Sequence, residues 1–143
     1  MKPVSCRLFL SFVLITMVTG CGSSGPQLAA VTGTVTLDGK PVFNALVTFI
    51  SKEPDGTSSY GKTDANGKYR LEFTTERLGA MLGAHDVTIV TTRMSKEDEP
   101  DTGTVVKFEF VPIPKHYAPG ALTAEVKSGS NVHDFALTTA KPK

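Results

Sequence analysis

Val31-Thr32-Gly33-Thr34-Val35-Thr36-Leu37 alternates small or apolar residues with threonine at a strict period of two, and Asp38-Gly39 ends the run. That period belongs to a half-buried β-strand, whose successive side chains point to opposite faces. Asp-Gly supplies the positive φ angles of a tight turn. Pro41, in Lys40-Pro41-Val42, then fixes the chain as it enters the next strand. In that strand Ala45, Val47 and Phe49 alternate with Leu46, Thr48 and Ile50. Both faces carry apolar groups, so the strand is expected in the middle of a sheet.

The pattern continues outward. Pro54-Asp55-Gly56 and Asp64-Ala65-Asn66-Gly67 mark turns on either side of a weaker, polar strand over residues 59–63. Tyr69, Leu71 and Phe73 alternate with charged residues, and Val87 and Ile89 line one face of residues 86–92. Leu122, Ala124 and Val126 repeat the alternation. Ser128-Gly129-Ser130-Asn131 turns the chain into a last strand with Phe135 and Leu137 inward. About seven short strands at this spacing predict an all-β antiparallel sandwich. Residues 75–84 admit one helical turn, and their glycines oppose a longer one. Residues 94–120 form the irregular part. They hold the acidic run Glu97-Asp98-Glu99-Pro100-Asp101, read as a solvated loop tip, and a piece around Phe108 and Phe110 that reads as an added edge strand.

The N-terminus is an address. Lys2 and Arg7 form a basic start, and residues 8–18 are an apolar run too short for a bilayer span. Val18-Thr19-Gly20-Cys21 looks like a bacterial lipoprotein signal, aliphatic-small-small-Cys. The expectation is cleavage before Cys21 and lipidation of that residue; the competing readings are ordinary secretion with a cut near Gly22 to Gly25, or an uncleaved anchor. Gly22-Ser23-Ser24-Gly25-Pro26 reads as a flexible tether. The expected organisation is therefore a signal peptide over 1–20, lipidated cysteine and tether over 21–29, and one domain over 30–140. Cys6 leaves with the signal, so the mature domain has no thiol for a disulfide, a thiolate metal site or a nucleophile. About 120 residues are enough for one core. The mature charge is about −1 with no basic patch, which gives nucleic-acid binding no electrostatic footprint.

Several strings together resemble the carboxypeptidase regulatory-like domain family. They are residues 31–42 leading into 45–49, Gly61-Lys62-Thr63-Asp64-Ala65-Asn66-Gly67-Lys68-Tyr69-Arg70-Leu71, and Gly83-Ala84-His85-Asp86-Val87-Thr88-Ile89. The tail, with Ile113-Pro114-Lys115-His116-Tyr117 and the segments around Leu122 and Asn131, is similar to that of small bacterial envelope lipoproteins carrying this domain. The resemblance implies a transthyretin-like or immunoglobulin-like β-sandwich. For the lipid anchor, the likeness to bacterial lipoproteins implies several acyl chains on Cys21, and Gly22 after it implies outer-membrane sorting.

No chemistry-bearing constellation stands out. His85, His116 and His133 lack metal-ligand spacing, and His85 and His133 read as half-buried packing residues. Asp64-Ala65-Asn66-Gly67 resembles the start of a calcium loop, but Lys68 and Thr75 stand where ligands are required, which favours a hairpin turn. There is no Gly-x-Ser-x-Gly elbow. Neither a catalytic residue, a metal site nor a cofactor is expected. The prominent surface feature is Phe110-Val111-Pro112-Ile113-Pro114-Lys115-His116-Tyr117-Ala118-Pro119-Gly120. Either it covers one end of the sandwich with Ile113 and Tyr117 inward, or Ile113, Pro114, His116 and Tyr117 form a docking loop for an envelope partner. The sequence therefore points to a non-enzymatic envelope module, held to the membrane through lipidated Cys21, with a structural or protein-interaction role. Carbohydrate binding is the alternative and hydrolysis the weaker third.

Overall fold

The computed structural model describes residues 25–92 and 110–141. Among them twelve strands form two six-stranded sheets, and the chain is an all-β sandwich. In the first sheet β1 (Leu28–Leu37) is the axis. It pairs antiparallel with β2 (Lys40–Pro41), β5 (Lys68–Arg70) and β8 (Ala80–Met81). It pairs parallel with β11 (Ser130–Val132) and β12 (Phe135–Leu137). The second sheet is antiparallel throughout. It runs β10 (Leu122–Val126), β9 (Gly83–Thr91), β3 (Ala45–Ser51), β4 (Ser58–Lys62), β6 (Glu72–Thr74) and β7 (Arg77–Leu78).

Twelve strands replace the expected seven for reasons visible in the backbone. The strand predicted over Tyr69 to Phe73 breaks at Leu71, where the chain leaves β1 for the second sheet and becomes β6. The last predicted strand breaks at His133 and Asp134 into β11 and β12. β2, β7 and β8 are two-residue pairings too short to leave a periodic signal. Residues 75–84 form no helical turn; Gly79 (φ 105°) and Gly83 (φ 114°) instead bend the chain through β7 and β8. The parallel pairing of β11 and β12 makes the first sheet mixed rather than purely antiparallel.

The period-two reading of the opening stretch holds in space. Val31 and Val35 are fully buried and Leu37 nearly so, while Thr32, Thr34 and Thr36 face the other way. β3 is interior to its sheet, between β4 and β9. Its inner residues Ala45, Val47 and Phe49 meet Leu71, Val87, Ile89, Val126 and Leu137 in one core. Each large side chain fully buried there contributes about 1.5–3 kcal/mol. The outer face of β3 and its neighbours stays partly open, with Ile50, Tyr60 and Val90 exposed.

The sheet-one seam is close. Tyr69 is buried opposite Gly33, and its hydroxyl donates to the His133 carbonyl at 2.7 Å. A Cβ on Gly33 would collide with that carbonyl and lie 2.9 Å from the Tyr69 ring. Glycine is needed here for space. The Asp64 turn, expected to close a hairpin, instead carries the chain from β4 in the second sheet to β5 in the first, its Oδ1 accepting the amides of Asn66 (2.8 Å) and Lys68 (2.9 Å).

The tether boundary moves. β1 opens at Leu28, and Ala29 is buried beside Ala80, so the last two residues assigned to the tether are strand. Just before them the Pro26 carbonyl accepts from the Arg77 guanidinium at 2.9 Å. The expected signal segment 1–20, Cys21, the acidic run 97–101 and the strand expected around Phe108 lie outside the described residues. Among the described residues no helix is long and apolar enough to cross a membrane.

Candidate functional site

The proline-spaced segment lies against the second half of β9. Thr91 Oγ1 donates to the Val111 carbonyl at 2.7 Å, which pins the segment at its start. One 3₁₀ turn, Lys115–Tyr117, follows Pro114 (φ −59°, ψ 141°). The Tyr117 amide closes it on the Pro114 carbonyl at 3.0 Å. The Tyr117 hydroxyl accepts the Thr138 amide at 3.0 Å, tying the segment to the end of β12. Val111, Ile113 and Tyr117 are partly buried and pack against the main core.

Between this segment and Thr88 to Thr91 runs a groove of about 530 Å³. Val90 and Phe110 stand exposed beside it, and Pro112, Pro114 and Pro119 stiffen its wall. Of the four residues singled out in the sequence, Ile113, Pro114 and Tyr117 line the groove. His116 does not; its ring packs 4.3 Å from the Tyr117 ring, with Nε2 buried and unpartnered. The segment thus packs inward through Ile113 and Tyr117 and still leaves a groove outside them.

The histidines do not converge. His85, on the inner face of β9, is fully buried rather than half-buried. Its Nδ1–H donates to the Gly83 carbonyl at 3.0 Å, leaving Nε2 as a buried acceptor with no partner. His133 is half-buried, and its Nε2 is also unpartnered. The two imidazoles lie 5.7 and 5.8 Å from the Phe49 ring. Burial, and secondarily the nearby His133, push the His85 pKa down. Among the described residues no group of three His, Cys, Asp or Glu side chains is placed to hold a metal ion.

A second surface feature has little signature in the sequence. Where the chain crosses from β5 to β6, two clefts share Arg70. One, of about 480 Å³, opens over Thr32, Thr34, Lys68 and Asp134. The other, of about 430 Å³, opens over Leu46, Tyr60, Lys62 and Glu72. The only linear signal is Tyr60, an aromatic at an outward position of a polar strand.

No protein-family model matches this chain, nor does any curated protein or any solved structure.

Proposed function

We infer that the chain is a non-enzymatic module of the bacterial cell envelope, anchored through a lipidated Cys21, which docks a partner protein in the groove beside β9. The observation that carries this reading is the groove itself. Its proline-spaced wall is braced at both ends, by Thr91 on Val111 and by Thr138 on Tyr117. A braced wall loses little conformational entropy on binding, and its apolar lining suits an apolar segment of an envelope protein. The anchor rests on Val18-Thr19-Gly20-Cys21, and the family reading on the carboxypeptidase regulatory-like strings around Asp38-Gly39 and Asp64 to Tyr69. Six residues lie between Cys21 and the start of β1 at Leu28, seven chain steps with a reach of at most about 25 Å. The groove would therefore work close to the membrane surface.

One experiment tests both parts. A photo-crosslinking residue is placed at Lys115, beside the groove, or at Glu125 on β10, in cells carrying either wild-type Cys21 or Cys21→Ala. A discrete protein adduct from position 115, absent from position 125 and lost with Cys21→Ala, is the expected result. No adduct from 115 overturns the docking role. Unchanged membrane fractionation of Cys21→Ala overturns the anchor.

A further inference from the structure

We propose that the paired clefts around Arg70 form a carbohydrate-binding site, taking a neutral glycan of at least two sugar units. It shares no lining residue with the β9 groove, although Leu46 in the second cleft pairs with Val90 beside that groove.

The argument begins with register. Thr32 sits opposite Arg70 and Thr34 opposite Lys68, so two hydroxyls and two cations share the outer face of β1 and β5. Tyr60 sits opposite Glu72, which places a ring and a carboxylate together on the outer face of the second sheet. Arg70 belongs to both clefts because Leu71 is where the strand changes sheets. A Cβ on Gly61 would meet the Arg70 carbonyl, so glycine permits the close crossing that joins them.

The chemistry of the lining selects the ligand. Lys62, Lys68 and Arg70 are balanced by Asp64, Glu72 and Asp134, so the surface has no net field to collect a polyanion. Among the described residues, neither Arg70 nor Glu72 is held in an ion pair. Both a forked donor and an acceptor thus remain for a ligand whose hydroxyls donate and accept. Tyr60 is half exposed and offers an aromatic face to the C–H face of a pyranose ring. A peptide strand is a poorer occupant of the first cleft. β1 already pairs on both sides along its floor, with β5 and with β11, so no main-chain edge is open there. Each cleft falls within the usual size of a small-molecule site.

The test uses the full chain in detergent on an array of neutral and uronic-acid oligosaccharides, with titration calorimetry on chitotetraose, cellotetraose and any array hit. Binding to at least one neutral oligosaccharide is expected. Tyr60→Ala and Arg70→Ala should each weaken it at least about tenfold, while Tyr60→Phe keeps most of it. Lys115→Ala, at the β9 groove, should leave it unchanged. Thermal melts of all four variants guard against misfolding; if Tyr60→Ala melts early, Arg70→Ala and Tyr60→Phe still decide. No binding to any neutral sugar overturns the proposal, as does binding that survives both Tyr60→Ala and Arg70→Ala. The photo-crosslinking outcome at Lys115 is unaffected by either result.

Discussion

Asp38 and Thr139, 101 residues apart, close the end of the sandwich through one carboxylate. Asp38 Oδ1 accepts the Thr139 amide at 3.0 Å and Oδ2 accepts the Thr139 hydroxyl at 2.8 Å. The Asp38 amide in turn donates to the Leu137 carbonyl at 2.9 Å. Asp38 holds φ at 49°, a left-handed conformation that Asp and Asn tolerate better than other side chains. The first strand's turn and the chain's last strand are thereby fastened together.

The amide and hydroxyl donors of Thr139 hold the Asp38 carboxyl below its usual range. A carboxyl that is more acidic in the folded state adds stability above its unfolded pKa and loses it as pH falls through the folded value. Asp38→Asn keeps the backbone tolerance but removes the charge. Wild type should melt higher than Asp38→Asn at neutral pH, and the gap should close on acidification below the ordinary carboxyl range. Melts of both proteins across that series check it; a gap independent of pH would deny the carboxylate its role.

The Tyr69–His133 seam gives a sharper pair. Tyr69→Phe removes the 2.7 Å bond and leaves the His133 carbonyl without that donor, for a loss of about 1 kcal/mol. Gly33→Ala places a methyl against the same carbonyl and should lose more, about 3 kcal/mol. Urea titrations of the two variants rank them. Equal stability of Gly33→Ala and wild type would show that β11 and β12 do not cross β1 as closely as described.

His85 sets a second pH response, in the core beside Phe49. Its folded pKa is pushed below 6.5 by burial first and by His133 second, against the Gly83 carbonyl and Glu53, which favour the charged ring. Below the unfolded value the unfolded chain takes up a proton that the folded chain resists, so stability falls as pH drops through that window. The loss levels off once the folded ring also protonates. His85→Leu should flatten this slope relative to wild type, whatever its effect at neutral pH. Denaturant midpoints at several pH values between about 7 and 5 read it directly.

The sandwich was legible because burial imposes period two on the longer strands. β1, β3 and β9 carry it through Val31, Val35, Val47, Phe49, Val87 and Ile89. The pieces that escaped are those where backbone geometry, not side-chain burial, decides. Leu71 is apolar whether its strand continues or changes sheets, so its alternation conceals the crossing. Gly79 looks like a helix breaker in sequence, yet its φ of 105° serves a bend between two-residue strands. The Arg70 clefts needed residues from β1, β3, β4, β5 and β6 brought together, and no linear spacing carries that. By contrast, the proline-spaced segment announced itself, because prolines beside aromatics in an otherwise polar tail have few structural uses.

That segment yields the last prediction. Ile113 and Tyr117 are each half-buried against the core, so truncation should remove part of their hydrophobic contribution. Ile113→Ala and Tyr117→Ala should each lose about 1–2 kcal/mol of stability. Tyr117→Phe keeps the ring but gives up the acceptor for the Thr138 amide, and should lose less, about 1 kcal/mol. Phe110→Ala and Lys115→Ala, at exposed positions along the same groove, should change stability by less than about 0.5 kcal/mol. Denaturant titration of the five variants separates the supporting wall from the contact surface. If Phe110→Ala abolishes the crosslink from position 115 while the fold is intact, the groove is read by a partner. If only the destabilised variants lose it, the segment serves as a cover for the core.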